Sequence, residues 1–308
     1  MSDLKIISLL PAATEIICAL GFEKNLVGRS HECDYPESVK SLPACSEARL
    51  SEGLSSSAID AEVKKILNDA LSVYEVKRDV IRKLSPDIVI TQAQCEVCAV
   101  SLTEVEQALS GYLEKETRIL SLQPERLDDI LNDIKTVATA LNALKKGEEL
   151  VEELQERIDI IRHKLKFITD KPSVACIEWL DPMMVSGNWI PELVNIAGGV
   201  NIISEAGLHS PYVQWEEIRL QDPEILLIMP CGFSIARTLN EVDILLQLPG
   251  FGELKAAKNN RIYILDGNHY FNRPGPRIVD SVEILAEIIH PKQFIFGHEG
   301  EGWIRFSV

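Results

Sequence analysis

The sequence contains no run of the ~20 consecutive apolar residues that a helix needs to cross a bilayer, so no transmembrane segment is expected. It also lacks a basic excess. Lys and Arg number 31 against 47 Asp and Glu, and the formal net charge is -16. Such a chain repels phosphate backbones, which excludes nucleic acid as an expected partner. The usual nucleotide loops are missing: there is no G-x-x-x-x-G-K-[ST], and no G-x-G-x-x-G follows the first predicted strand. Neither H-E-x-x-H nor G-x-S-x-G occurs, and no carboxylate pair stands out from the acidic background. The first residues, Met1-Ser2-Asp3, carry no basic n-region, and Pro11 ends the apolar run behind them. Regular disulfide spacing is absent too. The seven cysteines are an odd count, which fits a reducing compartment, so the expected localisation is cytoplasmic.

What is present is ordinary for a folded chain: 308 residues, 46% hydrophobic and 25% charged. That length favours two domains over one. Short apolar runs alternate with helical patterns in the first third. Strands are expected at 4–9, 87–91 and 118–122, and helices from Pro11 to Gly21, over 76–84 and over 102–109. From Pro124 to Phe167 only helix signals occur, with a break expected near Gly147. Leu150, Leu154, Ile158, Ile161 and Leu165 share one helical face. A long helix between two halves fits this stripe; a coiled-coil partner is the competing reading. After Pro172 the alternation resumes, with strands at 173–179, 224–229 and 261–265 and helices at 190–197, 216–220, 240–246 and 277–289. The predicted divisions are an α/β lobe at 1–123, a helical linker at 124–170, a second α/β lobe at 171–292 and a tail at 293–308. In the tail, Phe294-Ile295-Phe296 and Trp303-Ile304-Arg305-Phe306 suggest a hairpin.

The halves repeat a phrase. Arg82-Lys83-Leu84-Ser85-Pro86-Asp87-Ile88 matches Arg219-Leu220-Gln221-Asp222-Pro223-Glu224-Ile225 in pattern, and Arg118-Ile119-Leu120 is echoed by Arg261-Ile262-Tyr263. The fold class is therefore α/β: two Rossmann-like lobes with parallel sheets, joined by a long backbone helix. Ligands of such sheets sit beyond the carboxyl ends of the strands, so two facing sheets would frame one cleft.

Together these features resemble the substrate-binding proteins of ABC transporters, in particular the cobalamin-binding and iron-siderophore-binding branch. The resemblance is carried by Ser8-Leu9-Leu10-Pro11-Ala12-Ala13-Thr14-Glu15, Leu26-Val27-Gly28-Arg29-Ser30, Asp34-Tyr35-Pro36, Gly198-Gly199-Val200-Asn201-Ile202 and Phe271-Asn272-Arg273-Pro274-Gly275-Pro276-Arg277. It implies a solute-binding protein, not an enzyme. By the same resemblance, Tyr35, Trp179, Tyr212, His269 and Tyr270 are ligand-binding candidates, and Asp79 and Glu216 are the acidic pair that would dock an ABC permease if the chain is exported. Arg273 could pair with an anionic ligand group. The tryptophans that cover the corrin in the first lobe of those proteins have no counterpart; the matching stretches read Ala44-Cys45-Ser46-Glu47 and Gln92-Ala93-Gln94-Cys95.

One local pattern points to metal. Cys95-Glu96-Val97-Cys98 follows the 87–91 strand, and His31-Glu32-Cys33-Asp34 follows the Leu26–Gly28 segment. His31, Cys33, Cys95 and Cys98 form a candidate set for Zn, Fe or the cobalt of a corrinoid. A reduced cysteine pair in a turn is the plain alternative. The expected function is binding of a corrinoid, metal chelate or metal ion. A cytoplasmic metal- or thiol-dependent enzyme using Cys95 and Cys98, and a protein-interaction module, are the competing readings.

Overall fold

The computed structural model describes residues 4–50, 53–68, 73–92, 106 and 117–307. The chain divides into two compact units. The first takes in Met1–Leu54, Ala58–Pro124 and Asp129–Glu152; the second takes in Ser55–Ser57, Glu125–Asp128 and Glu153–Val308.

The first unit is built on a four-stranded parallel sheet. Its strands are β1 (Ile6–Ser8), β2 (Leu26–Arg29), β5 (Ile88–Gln92) and β6 (Arg118–Leu122), in the order β2-β1-β5-β6. All residues of β1 and β5 are buried, as expected of central strands covered on both faces. Helix α1 (Pro11–Ala19) starts on a proline, whose missing N–H costs nothing at a helix's first position. A separate antiparallel pair joins β3 (Ser46–Ala48) to β4 (Tyr74–Val76). The helix expected over 76–84 is consequently shorter: α3 spans Arg78–Leu84, after α2 (Ser56–Asn68). The amphipathic segment 102–109 lies outside the described residues except for residue 106.

Two helices follow, α4 (Leu127–Ala140) and α5 (Leu144–Leu165). The break falls at Asn142, which takes a positive φ of 55°, and not at Gly147. Gly147 lies inside α5, where an added Cβ would come within 2.5 Å of the Ala138 Cβ. It serves close packing of the two helices. The first turns of α5 belong to the first unit and the remainder to the second. Its 22 residues span about 33 Å at 1.5 Å per residue. Leu154, Ile158 and Ile161 of the predicted stripe are buried.

In the second unit, β7 (Ser173–Trp179), β10 (Ile225–Ile228) and β11 (Ile262–Leu265) run parallel. Strand β8 (Met184–Val185) pairs antiparallel with β7, and β9 (Val200–Asn201) pairs parallel with it. The helices are α6 (Ile190–Ile196), α7 (Trp215–Gln221), α8 (Ile235–Leu239), α9 (Asp243–Leu246), α10 (Lys255–Lys258) and α11 (Ile278–Ile289). The tail is not a hairpin. Trp303–Phe306 form β12, which adds antiparallel to β11 with Trp303 opposite Leu265.

The repeated phrase has a common physical role in both units. Helix α3 ends on Ser85 and α7 on Asp222, each in the left-handed region, and each is followed by proline. The acid after that proline then accepts a backbone N–H where the neighbouring strand begins. Asp87 Oδ2 accepts from Lys5 N at 2.8 Å, just before β1, and Glu224 Oε2 accepts from Ser173 N at 2.9 Å, at the start of β7.

Candidate functional site

In a parallel sheet every carboxyl end lies on one edge, so the loops leaving those ends gather there. In the second unit three such loops are tied together. Cys231 N donates to Glu178 O (3.0 Å), joining the loop after β10 to the end of β7, and Asn268 N donates to Phe233 O (3.1 Å), joining it to the loop after β11. On this frame Trp179 packs against Phe233 with ring centroids 5.2 Å apart, and the Arg237 guanidinium lies 4.6 Å from the Phe233 centroid. The two rings are tilted at 60°, and the result is a clustered aromatic and cationic edge.

The loop after β11 is a π-helical turn, Gly267–Phe271. Asp266 caps it. Its Oδ1 accepts from Asn268 N (2.9 Å) and His269 N (2.7 Å), and its Oδ2 lies 3.0 Å from His269 Nδ1. The buried Trp189 indole donates to Phe271 O at 2.9 Å and holds the far end of the turn. Arg273 is buried and its Nη2 donates to Asn268 Oδ1 at 3.1 Å. Tyr270 lies under the Arg277 guanidinium (5.5 Å), and burial pushes its hydroxyl pKa up. The turn also requires its glycine, because a Cβ on Gly267 would sit 2.1 Å from Pro230 O. Gly267→Ala should therefore spread the two loops and destabilise the fold by about 1–3 kcal/mol, read as a lower urea midpoint.

The structure thus gathers Trp179, His269, Tyr270 and Arg273 on one edge of one unit. Tyr212 is exposed and sits further out: its backbone bridges to Met184 of β8, which itself pairs with Trp179. Phe233 and Asp266 are participants that sequence reasoning missed. A signal for Asp266 was available, since an acid two and three residues before free turn N–H groups is a capping pattern.

At the corresponding edge of the first unit, Arg29 closes the loop after β2 by donating from Nη1 to Ser30 O (2.8 Å) and His31 O (3.1 Å). His31 lies against the Tyr74 ring (5.4 Å), with Nδ1 2.9 Å from Ser46 Oγ. Tyr74 donates to Glu32 Oε1 at 3.0 Å. Tyr35 is half exposed. Cys33 is buried elsewhere: Thr14 Oγ1 donates to its Sγ at 3.1 Å, and Ser8 O lies 3.9 Å away. His31 and Cys33 therefore engage different neighbours. Among the described residues no group of three or more His, Cys, Asp or Glu side chains is placed to hold a metal ion. Cys95 and Cys98 lie outside the described residues.

Burial, with the charges of Arg29 and Lys77, lowers the His31 pKa, while Glu47 opposes the shift. A depressed folded-state pKa makes its contribution to stability present above the ordinary histidine value and lost as pH falls through the folded value. The expected result is a His31 ring titrating below its ordinary value by NMR, with a fall in stability over the same acidic range.

Asp79 sits in the first turn of α3 and, with Arg82 and Lys83, lines a surface depression. Glu216 occupies the equivalent place in α7 and forms a bidentate ion pair with Arg219. In the repeated phrase Arg82 matches Arg219, so Asp79 and Glu216 fall in register.

Two α/β units built on mainly parallel sheets, a 22-residue helix shared by both, and clustered loops at the carboxyl edges define a substrate-binding protein of the helical-backbone class. The sequence profile of the periplasmic binding protein family matches residues 6–269, and the chain belongs to that family. An uncharacterized ABC transporter substrate-binding lipoprotein of Bacillus subtilis, YvrC, is 23% identical over 301 residues, covering 94% of this chain and 81% of the relative. A vitamin B12-binding protein of Vibrio cholerae is 22% identical over 282 residues, covering 91% and 86%. Among solved structures, the periplasmic heme-binding protein RhuT from Roseiflexus sp. RS-1 in apo form is 26% identical, with a TM-score of 0.69 over 94% of this chain and 99% of that one.

These relationships overturn the cytoplasmic expectation, since the family and its relatives are periplasmic proteins or lipoproteins. The cysteine argument failed for a physical reason. Of the five cysteines among the described residues, Cys33, Cys45 and Cys176 are buried and Cys18 and Cys231 are partly buried. Burial raises the pKa of Cys45 to about 11, that of Cys18 to about 12 and that of Cys176 further still. Thiols held protonated in a core are inert and carry little information about the compartment. No described helix is long and apolar enough to cross a membrane.

Proposed function

We propose that the chain binds a metal-containing macrocycle or chelate, of the corrinoid, haem or ferric-siderophore type, and delivers it to an ABC permease. The observation that carries this reading is the Trp179–Phe233–Arg237 cluster at the carboxyl edge of the second sheet, with His269 and Tyr270 on the adjoining loop. An aromatic face with a cation behind it suits a flat, partly anionic ring, and the histidine offers a nitrogen for its metal or its polar edge. The ligands in the names of the relatives, vitamin B12 and heme, belong to the same chemical class. Tyr35, Tyr212 and Arg273 are proposed as further contacts. A free metal ion is the weaker reading, because His31 and Cys33 do not converge.

The test is a thermal-shift panel of hemin, cobalamin, cobinamide, a ferric siderophore and bare transition-metal ions. Stabilisation by one metal complex, at one-to-one stoichiometry, is expected. Stabilisation by bare ions alone, or by nothing on the panel, refutes the reading. For delivery, we propose Asp79 and Glu216 as the docking acids, one on each of two equivalent helices. Reversing both to Lys should abolish ligand-dependent stimulation of the cognate permease ATPase while leaving ligand affinity unchanged. Undiminished stimulation rules the pair out.

A further inference from the structure

We propose that the surface of the second unit formed by the end of α5, the turn behind it and residues 290–296 is a peripheral contact face for an anionic lipid bilayer. The inference is independent of the ligand reading.

Charge is the first ground. The chain carries a net -16, yet residues 162–171 hold Arg162, Lys164, Lys166 and Lys171 against Asp170 alone. Lys292 adds to the same side of the balance on the second segment. All five cations are exposed. Arg162 is paired with Asp159 (3.2 Å), which leaves the four lysines against Asp170, and such local inversion in an acidic protein creates a positive field at this face.

Apolar exposure is the second. Phe167 is 82% exposed and Ile295 90%, and Phe296 is also exposed. The two segments are contiguous. Lys164 Nζ lies 5.4 Å from the Phe294 ring centroid, Phe294 stacks on Phe296 at 5.7 Å, and the His290 ring meets Gly198 O, the glycine against which Leu165 also packs. Lys166 Nζ lies 5.7 Å from the Phe167 ring, so cation and aromatic are presented together.

Shape is the third. A depression of about 620 Å³ beside these side chains is lined by Arg162, Leu165, Lys166, Ile168, Thr169 and Lys171. Glu192 also borders it, but its Oε2 accepts from Leu127 N at 3.1 Å. A phosphate headgroup fits this basic recess. Phe167 and Ile295 would enter the boundary between headgroups and acyl chains, while the lysine stems lie along it. A second copy of the chain is disfavoured as the occupant, because a symmetric contact would set the lysines against themselves.

The test is co-sedimentation of the full chain with vesicles of equal parts phosphatidylglycerol and phosphatidylcholine, and with phosphatidylcholine alone. Binding to the anionic vesicles only, weakened by added salt, is expected. Replacing Lys164, Lys166 and Lys171 together by Gln should weaken it about a hundredfold. Phe167→Ser combined with Ile295→Ser should weaken it about tenfold at unchanged salt dependence. These side chains are exposed, so circular dichroism should show the variants folded. No binding to anionic vesicles, or binding that both variants retain, overturns the proposal. A concentration-dependent dimer lost in Phe167→Ser/Ile295→Ser would also overturn it, assigning the face to a second copy.

Discussion

Replacing Glu287 by Ala should release the last strand from the second sheet and lower the unfolding midpoint by roughly 10 °C. Glu287 is a carboxylate on the largely buried helix α11 and only 5% exposed. Its carboxylate accepts four donors from the tail: Phe296 N, Gly297 N (2.5 Å), His298 N (3.3 Å) and Trp303 Nε1 (3.0 Å). Removing it strands the buried Trp303 indole N–H and leaves three part-buried tail amides without their acceptor, at a cost of about 3–5 kcal/mol. One turn earlier on the same helix, Glu283 supports this anchor. It bonds His298 Nε2 at 3.1 Å and Arg157 Nε at 3.0 Å, and Arg157 also reaches Asp280. The carboxylate raises the His298 pKa; burial works against the ionised form of Glu283, but His298 and Arg157 hold its pKa below the ordinary value. Glu301→Ala, at an exposed position, is the control and should leave the midpoint unchanged. Limited proteolysis of Glu287→Ala should cut first within residues 294–306. An unchanged midpoint would show that β12 holds by its strand pairing alone.

Replacing Trp179 by Ala should weaken binding of the metal complex about thirtyfold, the loss typical of an interfacial aromatic anchor. Trp179 ends β7, where the strand delivers its side chain to the edge on which Phe233 and Arg237 stand. The Ala variant removes the ring a flat ligand would stack on, while β7 keeps its pairing with β10 along Val174–Ile177. The expected signature is lost affinity with little change in the unliganded melting curve. Trp179→Phe should recover most of the affinity, since it restores an aromatic face. Equal affinity in all three proteins would remove Trp179 from the site.

Much of this architecture is legible in the sequence because its central strands are short apolar runs fenced by turn signals. The run Ile225–Ile228 lies behind Asp222-Pro223, and Ile88–Gln92 behind Ser85-Pro86. Elements that depend on distant partners were not legible. The residues of β3, Ser46-Glu47-Ala48, bury only the serine and show no apolar pattern, and their order comes from pairing with Tyr74–Val76. Strand β12 likewise exists through β11 and Glu287, and nothing local distinguishes it from a hairpin arm. The site was readable by position. Residues after β7, β10 and β11 had to share an edge, but which of them touch was not readable. His31 and Cys33 show why: two residues apart in a loop, they point to Ser46 and to Thr14, and no periodicity governs such a turn.

The central claim is that the carboxyl-edge loops of the second sheet hold the metal complex. Hydrogen exchange of the full chain, with and without the complex that stabilises it, tests this most directly. The account predicts slowed exchange in residues 180–183, 231–234 and 267–273, with the amides of α11 unchanged. Protection confined to other segments, or none at saturating ligand, would contradict it.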